Sequence, residues 1–242
     1  MINGDKYMDT LKEKKFIDLF KNISGAIFDL DGTLINSMCI WDDIDREYLG
    51  KRGVSIPKNL KYDIENLSFT ETAKYFQDKF NLSDSIDVIQ KEWYDMAFYK
   101  YSNTMMLKPY ALEFLKLLKS KDIKIALATS NYRTLAETAL KKNNIYELFD
   151  VITTTEDVKR GKNFPDIYIM ASKKIKVIPR KCVVFEDSLD AIKTVKLLNM
   201  KVIAVKDAYC PHSWNTLLQY SDLGIMNFSE LISIFYKYIN II

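Results

Sequence analysis

The run IFDLDGTLINS, residues 27 to 37, ends an apolar segment in two aspartates one residue apart, Asp29 and Asp31, with Gly32 and Thr33 behind them. Side chains of a strand alternate with period two, so both carboxylates leave a strand end on the same side. At a separation of ~5 Å and an effective dielectric of ~20 they repel by about 3 kcal/mol, which a neighbouring group must offset. Such a pair can supply a nucleophile and a proton-transfer partner. Thr129 ends a second apolar run, and Ser130 and Asn131 are read as opening the next helix, where unpaired N–H groups favour a phosphate. Lys162 in RGKNFPDIY is read as a mobile cation on a short loop, and Glu186 and Asp187 close the run VVFED. Four carboxylates against one ammonium make a pocket that a phosphate dianion does not enter unaided. A hard divalent cation is implied, and Mg²⁺ is the natural choice for oxygen ligands.

Singly, each piece has a plainer reading. A DxDG run also makes turns, Thr129 and Asp187 could cap helices, and Lys162 could be a solvated surface charge. Gly32 falls fourth rather than sixth, so this is no EF-hand loop, and Lys162 lacks the upstream glycine of a P-loop. Their recurrence, in order and on one edge of one sheet, argues for a site.

That edge follows from the elements. Short β-branched runs at 25–31, 124–130, 150–155, 182–187 and 201–207 alternate with helical patterns, as in a parallel sheet with right-handed crossovers. In open parallel sheets the C-terminal strand edge binds ligands. Nearly a hundred residues separate the first two runs, far more than a crossover needs. The intervening segment reads as helices, with Ser68 and Glu71 at capping-box spacing and Ser37 as a weaker cap. The expected organisation is an α/β core from 1–36 and 104–242 with a helical cap domain at 37–103. Its linkers lie near 35–38 and 102–108, and 1–20 reads as an extra amphipathic helix. Trp41, Tyr48, Phe69, Phe76, Trp93, Tyr94 and Phe98 are expected mainly in the core of the small domain, with one or two facing a ligand.

The chain has 242 residues, 48% of them apolar, and a net charge of +3. Lysines and acids are interspersed, with no basic run interleaved with aromatics, so nucleic-acid binding is not indicated. No segment is long and apolar enough for a membrane span, and the first residues lack a signal-peptide core, so the expected location is cytoplasmic. Cys39, Cys182 and Cys210 lack zinc or disulfide spacing and are read as packing thiols.

DLDGTL, the threonine of LATSN, the lysine of GKNFPD and the acids of FEDS together resemble the four motifs of the haloacid dehalogenase (HAD) superfamily. The likeness is to its helical-cap branch, near the β-phosphoglucomutases and phosphoglycolate phosphatase-like phosphatases. The resemblance implies a Rossmann-like parallel sheet core with an inserted helical cap domain. It implies phosphoester hydrolysis, with Asp29 as nucleophile, Asp31 as acid and base, and Thr129, Ser130, Asn131 and Lys162 on the phosphoryl group. It also implies Mg²⁺ held by Asp29, the backbone carbonyl of Asp31, Asp187 and Glu186.

The dehalogenases and phosphonoacetaldehyde hydrolases lack an acid at Asp31, which favours phosphate esters here. The mutases carry a histidine at Trp41 and an arginine at Phe69, and neither is present. Asn163, Tyr110 and Ala191 stand where proline, glycine and glycine are common, and His212 is read as a surface or capping residue. The expectation is a phosphatase for a small phosphorylated metabolite, monomeric or weakly dimeric, with Asn36, Trp41 and Phe69 as substrate contacts. The alternatives are a phosphosugar mutase and a non-catalytic phosphate-ligand sensor or partner-binding protein.

Overall fold

Gly25–Phe28 forms β1, buried along its whole length, in a computed structural model that describes residues 12–64 and 67–238. A helix described over 12–20 (α1) precedes it. After β1 come α2 (Met38–Gly50), α3 (Leu60–Ile64), α4 (Phe69–Phe80), α5 (Ile86–Asn103) and α6 (Ala111–Ser120). The chain then runs through β2 (Lys124–Thr129), α7 (Arg133–Lys142), β3 (Val151–Thr154), α8 (Thr155–Val158), α9 (Asp166–Lys174) and β4 (Cys182–Glu186). It finishes with α10 (Leu189–Leu197), β5 (Lys201–Val205), α11 (Trp214–Tyr220), β6 (Leu223–Ile225) and α12 (Ser229–Lys237).

The six strands are all parallel, in the order β3-β2-β1-β4-β5-β6. Period two divides their side chains between two apolar layers. Phe28, Leu127, Phe185 and Ile203 enter one, and Ile27, Ala126, Val184 and Val202 the other. Phe28 stacks on Phe185 with centroids 4.3 Å apart. The chain builds outward from β1 through β2 and β3, then returns to lay β4 on the other side of β1. Such a reversal opens a crevice beyond the strand ends. Asp29 and Asp31 follow β1, Thr129 ends β2 and Glu186 ends β4, so the topology gathers them there.

Two elements depart from the sequence expectation in the sheet region. β6 is three residues around Gly224, too short for a β-branched run to announce it. A Cβ at Gly224 would meet Leu218 at 2.2 Å and Trp214 at 2.8 Å, so α11 packs directly on this backbone. The helix after β2 begins at Arg133, which leaves Ser130 and Asn131 in the connecting loop. There the Asn131 N–H donates to Thr129 Oγ1 at 3.1 Å and the Tyr132 N–H to Asn131 Oδ1 at 2.8 Å. These local bonds hold the loop and delay the helix.

Helices α2 to α5 pack around Tyr48, Phe76 and Trp93, all buried, and their apolar cluster is continuous with one core layer. Ser68 and Glu71 form the expected capping box at the start of α4. Phe98 departs from expectation: it is 44% exposed and stacks on Tyr94 along the outer face of α5. The two connections to this helical segment lie side by side. Ile35 bridges to Leu107, and the Lys108 N–H donates to the Leu34 carbonyl at 2.7 Å. In α1, Phe16 and Phe20 pack against Phe235 of α12 at 5.0 and 4.9 Å; residues 1–11 of the expected helix lie outside the described residues. Among the described residues no helix is long and apolar enough to cross a membrane.

Candidate active site

Beyond the ends of β1, β2 and β4, Asp29, Asp31, Thr129, Ser130, Asn131, Lys162, Glu186 and Asp187 line one cavity of about 190 Å³. Gly32 sets the local course of the chain. Its φ of 86° is a conformation that side chains disfavour, and its N–H donates to the Ile35 carbonyl at 3.0 Å. The resulting tight turn carries Asp31 back over the strand end.

Lys162 is buried and pinned rather than mobile. Its ammonium donates to Asp29 and, at 2.6 Å, to Glu186 Oε1. Glu186 Oε1 also accepts from Tyr168 at 3.0 Å, while Oε2 accepts the N–H groups of Asp187 and Ser188 at 3.1 and 3.3 Å. Both oxygens of Glu186 are thus occupied, which makes it the anchor of Lys162. Burial pushes the ammonium down, but Asp29 and Glu186 outweigh it and raise the pKa.

Asp29, Glu186 and Asp187 offer carboxylate oxygens within 4.8 Å of one another. Burial raises Asp29 to about 7, with Lys162 opposing and Glu186 and Asp31 reinforcing the shift. Asp187 is raised well above the usual carboxylate range by burial and by Asp29 and Glu186; it accepts from Thr33 at 3.0 Å. Three buried carboxylates facing one ammonium need a proton or a cation to be stable together. All are hard oxygen donors, so the set fits Mg²⁺. Asp29 and Asp187 keep the more open oxygens.

Asp31 stands outside this trio. Its carboxylate accepts from Ser37 at 2.5 Å, from Asn131 Nδ2 at 2.9 Å and from the Tyr101 hydroxyl. Ser37 stands at the N-cap of α2 without making a cap bond, because its hydroxyl serves Asp31 instead. Tyr101, fully buried near the end of α5, also accepts from Trp41 Nε1 at 2.8 Å and Asn131 Nδ2 at 2.9 Å. The Asn131 side chain is therefore committed to Asp31 and Tyr101. Nothing in the sequence separated Tyr101 from the other core aromatics of α5.

The roof of the cavity comes from the helical segment. Trp41 and Phe69 line it, edge to face at 5.7 Å, together with Asp42, Asp45, Lys61 and Trp93. Asn36 is exposed and is not among the lining residues; its N–H pairs with the Met106 carbonyl across the linkers at 3.2 Å. Cys182 is a buried packing thiol. Cys210, however, lines the cavity, and its Sγ donates to the Asp187 carbonyl at 3.2 Å. His212 packs edge-on against Tyr62 at 5.1 Å. A buried pair of Lys108 and Asp207, 2.9 Å apart, also went unread in the sequence; Asp207 raises Asp187 and Lys108 lowers it.

The chain is 29% identical over 174 residues to a phosphorylated carbohydrates phosphatase of Thermotoga maritima, covering 72% of this chain and 81% of that protein. It is 32% identical over 188 residues to a bifunctional riboflavin kinase/FMN phosphatase of Arabidopsis thaliana. That match takes in 77% of this chain and 49%, about half, of the longer plant protein. Among solved structures, CbbY from Rhodobacter sphaeroides in complex with phosphate superposes with a TM-score of 0.77 at 22% identity, over 86% of this chain and 96% of the other. At that identity the likeness establishes the fold. The haloacid dehalogenase-like hydrolase model matches residues 26–205, from the second residue of β1 to the last of β5. The chain belongs to the haloacid dehalogenase-like hydrolases.

Proposed function

We propose that this hydrolase is a Mg²⁺-dependent phosphatase acting on a small phosphorylated metabolite, a sugar phosphate or similar phosphomonoester, through an aspartyl-phosphate on Asp29. The observation that carries the reading is the division of labour between the two aspartates, Asp29 buried and Asp31 partly exposed. Asp29 lies against Lys162 and the metal-fit carboxylates, whereas Asp31 is held by the neutral donors Ser37, Tyr101 and Asn131. One carboxylate is thus kept for bonding to phosphorus and the other for moving a proton.

In the first step a carboxylate oxygen of Asp29 attacks phosphorus and the bond to the leaving oxygen breaks, Asp31 delivering the proton that oxygen needs. In the second, Asp31 takes a proton from water as the water oxygen attacks the same phosphorus, and inorganic phosphate departs with Asp29 restored. Lys162 offsets charge between Asp29 and the phosphoryl oxygens, and the Thr129 hydroxyl orients them. Mg²⁺, held by Asp29, Asp187 and the Asp31 carbonyl, would supply charge neutralisation. Glu186 holds Lys162 in place. The helical segment acts as a cap that closes over the core and excludes water between steps.

The name of the T. maritima relative supports the substrate class. A mutase would need a second phosphate gripped in the roof, where Phe69 presents an apolar ring. The test is phosphate release from a panel of phosphorylated metabolites, with and without Mg²⁺, by the wild type and Asp29→Asn. Turnover that requires Mg²⁺ and vanishes in the variant supports the reading. A wild type that releases phosphate from none of them overturns it.

A further inference from the structure

The roof of the cavity holds two carboxylates of unequal standing. Asp42 is partnered, by Arg46 at 3.2 Å and Lys61 at 3.7 Å. Lys61 is further occupied over the ring of Tyr209, 4.7 Å from its centroid. Asp45, one helical turn along α2, also lines the cavity but takes part in no hydrogen bond or ion pair among the described residues. Burial raises its carboxyl to about 7, with Asp42 adding and Lys61 subtracting. Trp93 lines the same cavity, and its indole Nε1 is buried without a hydrogen-bond partner. Unpaired buried polar groups are uncommon and call for an explanation.

The roof therefore offers the cavity one unpartnered acceptor, the Asp45 carboxylate, while the Trp93 indole nitrogen is sealed beneath the surface. A hydroxyl group donates to that carboxylate without bringing a charge of its own. A carboxylate or phosphate only accepts, so an ionised Asp45 repels it. The charge of the whole cavity points the same way: six carboxyl groups and two ammonium groups line it, so one divalent cation leaves it negative.

We propose that Asp45 is a specificity-determining residue, accepting hydrogen bonds from an uncharged polyol or sugar leaving group and excluding phosphomonoesters that carry a second anionic group. The proposal rests on the phosphatase reading and adds the substrate's leaving-group chemistry to it. A unit negative charge ~6 Å from an ionised Asp45 is strongly disfavoured at an effective dielectric of ~20, but with the carboxyl at about 7 protonation limits the penalty to about thirtyfold at pH ~8.5. Lys61 tempers this, and a discrimination of at least about tenfold is expected.

The matched probes are sorbitol 6-phosphate and 6-phosphogluconate, which share a six-carbon skeleton and differ chiefly in a carboxylate at the far end. At pH ~8.5, where Asp45 is ionised, the wild type should favour the polyol at least about tenfold in kcat/KM, and Asp45→Asn or Asp45→Ala should narrow that ratio about tenfold. A wild type indifferent between the probes, or a ratio unchanged within twofold in both variants, overturns the proposal. Hydrolysis of p-nitrophenyl phosphate with Mg²⁺ judges the phosphatase reading separately. If the wild type hydrolyses none of the three, calorimetric binding of the two six-carbon probes to Asp29→Asn, with and without Asp45→Asn, still decides the pocket. An Asp45-dependent preference supports it, and equal binding overturns it.

Discussion

In the proposed mechanism Asp29 has to be ionised to attack phosphorus, yet burial beside Glu186 raises its carboxyl to about 7. Asp187 is also raised well above the usual carboxylate range, by burial and by Asp29 and Glu186. The site thus holds protons at neutral pH that a bound cation would displace, and cation affinity is linked to pH. Raised carboxyls bind protons below their own pKa, so affinity for Mg²⁺ is expected to grow as pH rises from about 5.5 to 8, with proton release on binding. Because the cation favours the folded state, saturating Mg²⁺ at about a hundred times Kd should stabilise by about 2.7 kcal/mol. Melting curves at both pH values check this: the Mg²⁺-induced rise in Tm should be larger at pH 8 and be lost in Asp187→Asn. A shift of equal size at both pH values, or one retained in Asp187→Asn, would count against the carboxylate cluster as the cation site.

At the scale of elements, Tyr110 shows how a local departure in the sequence becomes a structural cost. It precedes α6 at φ 64° and ψ 11°, a left-handed conformation that costs a residue with a side chain about 1–2 kcal/mol. The ring is 54% exposed, so little packing is lost with it. Glycine removes the clash but returns about 0.5–1 kcal/mol of unfolded-chain entropy. Tyr110→Gly is expected to gain about 0.5–1 kcal/mol net, a rise in Tm of about 1–4 °C, measurable by scanning calorimetry; a lower Tm would show that the ring contributes packing. This position was legible because glycine was anticipated after Pro109. The candidate site's edge was legible for a related reason: Asp29, Thr129 and Glu186 are polar residues closing apolar runs, which marks a strand end. Tyr101 and Asp45 were not legible. Each lies within a helix of ordinary amphipathic pattern, and its importance arises only when α5 or α2 is packed against the strand ends. Ser130 and Asn131 were misassigned to a helix because two local side-chain bonds hold them in a loop.

For the molecule as a whole, the helical segment roofs a negatively charged floor with a negatively charged wall. Without a substrate, Asp45 keeps a carboxyl raised to about 7 by burial and by Asp42, with Lys61 opposing, against an ordinary value near 3.9 in the unfolded chain. Between pH ~4 and ~7 the folded protein therefore retains a proton that the unfolded chain releases. Stability contributed at this position accordingly falls as pH rises through that window and is lowest above 7. Asn cannot ionise, so Asp45→Asn should be more stable than the wild type at pH 8 by on the order of 1–2 kcal/mol, after allowance for solvent at a half-buried site. This corresponds to about 2–6 °C in Tm. At pH 4.5, where both side chains are uncharged in the folded state, the two proteins should melt within about 1 °C of each other. Melting scans at the two pH values without substrate make the comparison. A gain at pH 8 alone would mean that the cap keeps an ionised carboxylate at a cost to the empty enzyme, as expected of a residue held for its ligand. Equal melting at both pH values would remove Asp45 from the electrostatics of the cavity.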